Sequence, residues 1–130
     1  MKRIILGFSL LLMLAQNGFA RTDAEYDVKI KEQKIEVNKQ IWRCNKAALN
    51  HKYNSNPEVC IKAYNELEKE YPNEKDTIAV MALSSGLLFN YSKKNYMMAY
   101  QYYIKSAKFG NTIAQKNLDI LCRKHSWVCK

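Results

Sequence analysis

The sequence predicts an all-α fold of about five helices, and three observations support this prediction. Apolar residues recur at helical spacing through most of the chain. The 130 residues include only four glycines and two prolines, the residues that most often interrupt helices. After residue 20, the chain lacks the alternation of apolar and polar residues, bounded by turns, that is typical of strands.

The first 20 residues have the organisation of a cleaved secretory signal peptide. Lys2 and Arg3 precede the apolar run IILGFSLLLMLA, and the small residues Gly18 and Ala20 form a signal-peptidase site. The run is too short for a stable membrane span. No cysteine lies near the cut, so a lipoprotein anchor is not expected, and an uncleaved anchor is the alternative. We therefore expect a periplasmic or secreted chain that begins at Arg21 and has no stable membrane span.

The first predicted helix runs from about residue 24 to residue 52, and its N-terminal part is highly charged. Its inner stripe is predicted to comprise Ile35, Val37, Ile41, Cys44, Ala48 and Leu49. The segment NSNPE ends this helix, because Asn56 is a good N-cap and Pro57 fits the first turn of the next helix. Residues 21–56 and a helical repeat region over 57–130 are expected to form one compact domain.

Four shorter helices follow, with turns at YPNEKD, at SKKN and at the pair Gly110-Asn111. Gly110 suits the left-handed position that ends a helix, and Asn111 can cap the last one. A short tail, HSWVCK, completes the chain. The predicted ranges of these four helices are 57–71, 74–91, 96–109 and 112–124.

All four cysteines lie after residue 20, and an even count in a small exported domain favours disulfide bonds. Three pairings are possible. Cys44 and Cys60 lie eight residues on either side of Lys52, so a helical hairpin brings them opposite each other. Cys122 ends the last helix and lies seven residues before Cys129. We expect the pairs Cys44–Cys60 and Cys122–Cys129, each stabilising by about 2–4 kcal/mol, with the two other pairings as alternatives.

Charge is distributed unevenly along the chain. Residues 21–92 hold 11 basic and 11 acidic residues, whereas residues 93–130 hold eight basic residues and only Asp119. A one-sided positive field can steer an acidic partner protein, although a lysine face that only confers solubility is the alternative. The predicted partner-binding residues are the cations Lys93, Lys94, Lys105, Lys108, Arg123 and Lys124, with Tyr100 and Phe109 as apolar anchors.

Two short patterns repeat with a period in the mid-thirties, which is typical of a helical solenoid. Ala63-Tyr64 recurs as Ala99-Tyr100 after 36 residues, and Ala79-x-x-x-Leu83 recurs as Ala114-x-x-x-Leu118 after 35 residues. The alanines would let paired helices approach closely, with large residues filling the gaps beside them.

The stretch AYQYYIKSAKFGNTIAQKNLDILC resembles the Sel-one-like subfamily of tetratricopeptide-like repeats, of the exported, disulfide-bonded type. The family pattern A-x-x-W-Y-x-K-A-A-x-x-G-N-x-x-A-x-x-x-L-G is matched by Ala99, Tyr103, Lys105, Ala107, Gly110, Asn111, Ala114 and Leu118. The resemblance covers about residues 78–122, with residues 57–83 as a degenerate earlier unit. It implies a short right-handed α/α solenoid of one and a half to two repeats. Tyr102, Tyr103 and Ala107 would pack between its helices.

The residue patterns of common enzyme classes are missing from the sequence. We find no G-x-S-x-G, H-E-x-x-H or phosphate-binding glycine loop. Neither His51 nor His125 has a metal-ligand spacing, so we expect no catalysis, metal or cofactor. The acidic residues between positions 66 and 76 are interpreted as solvated helix faces. Because the chain is expected to be exported, a nucleic-acid partner is not expected either.

The leading functional prediction is a periplasmic helical-repeat protein that binds another protein, as an adaptor or scaffold in the cell envelope. The alternative is an immunity protein that neutralises a toxin delivered into the periplasm by type VI or contact-dependent secretion. A minor alternative, implied by the resemblance, is penicillin-binding or β-lactamase-like activity.

Overall fold

The computed structural model describes residues 24–51 and 55–130, with only the backbone described for residues 24–30 and 33. The predicted signal peptide, residues 1–20, lies outside the described residues. In the described ranges every regular element is a helix, which confirms the all-α prediction. The helices are α1 (Ala24–Leu49), α2 (Glu58–Glu70), α3 (Lys75–Leu87), α4 (Tyr96–Lys108) and α5 (Thr112–Lys124). A π-helical segment, Leu88–Ser92, extends α3, and a 3₁₀ turn, Ser126–Cys129, follows α5.

Asparagine side chains cap the starts of three helices. Asn56, Asn95 and Asn111 each accept a hydrogen bond from a backbone amide of the following helix. The donors are Glu58 at 3.0 Å, Met98 at 3.2 Å and Ala114 at 2.9 Å. Gly110 has a φ of 90°, in the left-handed region, as predicted for the end of α4. The local turn chemistry of the sequence therefore determines where these helices begin and end.

Each helix packs against the next one along the chain, and α1 also contacts α3. The first core cluster surrounds the buried Cys44–Cys60 disulfide between α1 and α2, and it includes Val37, Ile41, Leu67, Ile78, Met81 and Tyr102. The second cluster joins α3, α4 and α5, and its buried residues are Leu83, Ala99, Tyr103, Ala114 and Leu121. The right-handed solenoid and its repeat count stay predictions.

Both predicted disulfide pairs are present. The Cα atoms of Cys44 and Cys60 lie 4.5 Å apart, and those of Cys122 and Cys129 lie 5.7 Å apart. Cys44 and Cys60 are fully buried, whereas the second pair is half-buried and attaches the C-terminal tail to the end of α5. The hairpin argument is thus confirmed for the first pair, and the short loop for the second.

The predicted inner face of α1 is wrong at two positions, because Ile35 and Leu49 are exposed. Each residue rotates an α-helix by about 100°, which places these two side chains opposite the buried Val37, Ile41 and Cys44. The sequence offered two apolar stripes on one helix, and packing against α2 buried only one of them.

Two tyrosines of α4 have the packing role that the repeat pattern implies. Tyr102 and Tyr103 are buried, whereas Ala107 is only half-buried. The small residue at the centre of the helix contact is Ser106, which is fully buried and donates a hydrogen bond from its Oγ to the carbonyl oxygen of Ala79 at 2.6 Å. The inner face of α4 therefore contains the predicted Tyr102 and Tyr103, with Ala107 at its edge and Ser106 as a further member.

Candidate functional site

The structure separates the predicted partner-binding cations into two groups at opposite ends of the α4–α5 hairpin. One group consists of Lys93, Lys94, Arg123 and Lys124, and the other of Lys105 and Lys108, which lie in the last turn of α4. Helix α4 has 13 residues, a length of about 20 Å. The rings of Tyr96, at the start of α4, and His125, after α5, stack with their centroids 3.7 Å apart. This stacking shows that the two helices run antiparallel.

A cavity of about 210 Å³ lies at the end of the hairpin that carries the first group. Its apolar wall is formed by Ile120 and Leu121, and its polar lining consists of Asn90, Tyr91, Lys94, Tyr96, Lys124 and His125. No carboxylate of residues 24–51 and 55–130 lines it. We call this site the basic cavity. Two ammonium groups, an imidazole, two phenols and an amide give it hydrogen-bond donors on several sides.

Lys94 enters the basic cavity from a strained turn. The amide of Lys93 donates to the carbonyl oxygen of Leu88 at 3.1 Å, which closes the π-helical segment. Lys94 then has a φ of 52°, and among the described residues it alone has a positive φ without being glycine. A left-handed conformation costs a residue with a Cβ roughly 1–2 kcal/mol. Both features concentrate at functional sites in proteins.

The floor of the basic cavity is tied to the second core cluster through Asn90. Its Nδ2 donates a hydrogen bond to the hydroxyl oxygen of Tyr103 at 3.1 Å. Burial raises the pKa of Tyr103 well above its usual value, so this phenol keeps its proton even at alkaline pH. The orientation of Asn90 therefore depends on a fully buried ring.

The first turn of the chain braces the rim of the cavity. The hydroxyl of Ser92 donates to the carbonyl oxygen of His51 and accepts from the amide of Ser55 at 3.2 Å. The ring of His51 lies 5.1 Å from that of the exposed Tyr91, between centroids. Ser92, in the SKKN turn, thus serves as a link between two turns.

Lys105 lies at the other end of the hairpin and packs against aromatic rings. Its Nζ is 4.8 Å from the ring centroid of Tyr102 and 5.5 Å from that of Tyr64, both of which are buried. These distances allow cation–π attraction. The hydroxyl of Tyr64 donates to Glu68 at 2.7 Å, and burial together with this contact raises the pKa of Tyr64. Lys105 and Lys108 are both exposed, and the ammonium of Lys105 lies beside these two rings.

The predicted apolar anchors are also used in packing. Tyr100 is half-buried against the second core cluster, and Phe109 is half-buried against the first. Neither residue lines the basic cavity. Tyr91 and Tyr96, which do line it, were not singled out from the sequence, because only the antiparallel return of α5 brings them beside Lys124.

A larger groove of about 410 Å³ lies between α1 and α2. Its lining includes Arg43, Lys62 and Glu58, together with apolar and amide groups. Charges of both signs face it, so it has no clear preference for an anionic partner. The basic cavity is the better match to the predicted acidic partner.

Within residues 24–51 and 55–130, no three histidine, cysteine or acidic side chains are grouped closely enough to hold a metal ion. None of the described helices combines the length and the apolar character needed to cross a bilayer. Comparison of the chain with protein-family models, curated proteins and solved structures found no match. The resemblance to Sel-like repeats therefore stays a prediction.

Proposed function

We propose that this protein binds an acidic segment of another protein in the cell envelope through the basic cavity. One observation carries the proposal. Lys94, Lys124 and His125 converge on a cavity whose described lining has no carboxylate, and Asp119 is the only acidic residue in residues 93–130. Ammonium groups are strong donors to carboxylate oxygens, and such charge-assisted hydrogen bonds are stronger than neutral ones.

The size of the cavity favours a side chain or a chain terminus as its occupant. Its volume of about 210 Å³ is smaller than the roughly 300–1,000 Å³ of typical small-molecule pockets. The exposed ring of Tyr91 at the rim adds an aromatic contact of the kind that often dominates the energy of protein interfaces. An aspartate or glutamate flanked by an apolar residue fits this combination.

We further propose that α2 to α5 form one and a half to two Sel-like units and that the protein acts as an adaptor. Two disulfide bonds in a small domain suit the oxidising envelope compartment. A repeat region this short offers limited binding surface, so a charged cavity at one end would supply specificity.

The experiment is a pull-down from periplasmic extract with quantitative mass spectrometry. The cavity variant combines Lys94→Glu with Lys124→Glu, and the matched control combines Lys75→Glu with Lys116→Glu, two exposed lysines outside the cavity. Both variants change the net charge equally. We expect one protein to be enriched by the wild type and the control and lost with the cavity variant. Equal enrichment by all three would contradict the proposal.

The same experiment separates the adaptor from the immunity protein, the second candidate. The absence of carboxylates around the basic cavity also suits a surface that covers an acidic toxin active site. Capture of a secreted toxin, encoded beside this gene, would support immunity. Capture of a resident envelope protein would support the adaptor.

A further inference from the structure

Helix α1 carries an apolar stripe on the side that faces away from the core. We define the α1 stripe as Ile35, Trp42 and Leu49, whose side chains are 55%, 61% and 83% exposed. These residues recur every seven positions, so they lie on one face, about two helical turns apart. The sequence continues the same spacing at Val28. A seven-residue repeat of large apolar residues is typical of helices that pair along a seam.

Exposed charges along one flank of the α1 stripe change sign from one end to the other. Glu32 and Glu36 occupy its N-terminal half, and Lys39, Arg43 and Lys46 occupy its C-terminal half. When two copies of a helix pair antiparallel, each flank meets the same flank of the other copy in reverse order. Glu32 and Glu36 then face Lys46 and Arg43 of the other copy, and this happens twice, whereas Lys39 lies near the twofold axis and meets its own copy.

A parallel pair would gain fewer of these contacts. In that orientation the charged flank would meet the opposite flank of the stripe, which carries Lys31, Lys34 and the uncharged Asn38 and Asn45. Only the acidic half would then meet cations, and the basic half would meet no carboxylate. Binding to an unrelated protein would not require the charges along α1 to be complementary to the same charges in reverse order. The pattern is therefore specific for a second copy in the antiparallel orientation.

We infer that two copies of this chain associate through the α1 stripe, with their α1 helices antiparallel and the twofold axis near residue 39. In this register Ile35 lies close to Trp42 of the partner subunit. Trp42, which already has the ammonium of Lys46 5.1 Å from its ring, is the central aromatic anchor. This contact is separate from the basic cavity and does not depend on the proposed function.

The test is sedimentation-velocity centrifugation of the purified protein, with two tryptophan variants. Trp42→Glu removes the anchor, and Trp127→Glu is the matched control, because Trp127 is 59% exposed and lies in the C-terminal tail. We expect Trp42→Glu to raise the dissociation constant of the dimer by at least about tenfold. Trp127→Glu should leave it unchanged. Circular dichroism would be used to check that both variants fold. Leu49→Glu provides a second variant on the α1 stripe.

Charge reversal in the basic half distinguishes the two orientations. From roughly 0.1 M to roughly 1 M salt, the screening length falls from about 10 Å to about 3 Å, so an antiparallel dimer should dissociate more readily at high salt. Arg43→Glu should weaken the antiparallel dimer at low salt, whereas a parallel dimer, in which Arg43 meets no carboxylate, should not be weakened. A protein that remains monomeric at about 0.1 mM, or equal weakening by both tryptophan variants, would overturn the inference. So would a monomer that binds a different protein through Trp42.

Discussion

The two ends of the α4–α5 hairpin contain the same kinds of side chain but use them differently. At one end, the ammonium of the exposed Lys105 lies beside the rings of Tyr64 and Tyr102, which are buried where α2 packs against α4. At the other end, the exposed Lys94 and Lys124 line a cavity beside Tyr91 and Tyr96. A lysine-tyrosine pattern in the sequence therefore does not define a binding surface. The neighbouring element decides whether the pattern is used for packing or stays open to a partner.

The largest expected effect is a loss of stability at alkaline pH, which tests the burial of Tyr71 in the first core cluster. Burial, with the charges of Glu70 and Glu66, raises the pKa of Tyr71 to about 12. The folded protein keeps this proton between about pH 10 and pH 12 while the unfolded chain loses it, so stability falls as pH rises through this window. For Tyr71 the loss is about 2–3 kcal/mol.

The measurement is urea unfolding at pH 9 and at pH 11.5 for the wild type and for Tyr71→Phe. The variant should lose less stability between the two values, because its ring has no proton to release. The free energy of unfolding should still fall with pH in both proteins, because burial also raises the pKa values of Tyr64, Tyr102 and Tyr103. Identical slopes would mean that Tyr71 is not held neutral by its surroundings.

The next prediction concerns the contact between Gly86 and the ring of Tyr103, which connects the second core cluster to the basic cavity. A Cβ at Gly86 would lie 2.5 Å from Cδ1 of the Tyr103 ring, which is fully buried and holds Asn90 at the floor of the basic cavity. Gly86→Ala should therefore lower the free energy of unfolding by about 1–3 kcal/mol through overpacking, as measured by chemical denaturation.

A double-mutant cycle identifies the cause of that loss. If the methyl group clashes with the ring, Gly86→Ala should cost much less in a Tyr103→Leu background, with a coupling of at least about 0.5 kcal/mol. Additive losses would show that the cost of Gly86→Ala does not come from a clash with the Tyr103 ring.

The smallest effect separates stability from binding at the open end. Lys94→Gly removes the cost of a left-handed residue with a Cβ and increases the entropy of the unfolded chain, so a net gain of about 0.5–1 kcal/mol is expected. Binding of the captured partner should weaken at the same time, because one ammonium leaves the basic cavity. Thermal unfolding and surface plasmon resonance measure the two quantities.

The control for this substitution is Lys93→Gly, at the neighbouring position with a φ of −103°. There glycine relieves no strain, and the variant should be less stable than the wild type. If Lys94→Gly destabilises the protein as much as Lys93→Gly does, the left-handed conformation carries no cost. If Lys94→Gly leaves binding intact, Lys94 does not contact the partner.

Features that depend on near neighbours in the chain could be predicted from the amino-acid sequence. Helix ends followed from the side chains of Asn56 and Asn111 and from the freedom of Gly110 to take a positive φ. The pairing of Cys44 with Cys60 followed from one hairpin, and that of Cys122 with Cys129 from a short loop. These features need no information about which elements lie side by side.

Which helix faces and which hairpin ends are covered depends on how the helices pack together, and this could not be predicted from the sequence. Helix α1 offers two apolar stripes, and contact with α2 buries one and leaves Trp42 on the other. Lys94 and Lys124, 30 residues apart in the sequence, share a cavity only because α5 returns along α4. The left-handed Lys94 follows from a π-helical segment in a turn that contains no glycine. Such outcomes depend on the free energy of the whole packed arrangement, to which residues distant in the chain contribute as much as neighbours.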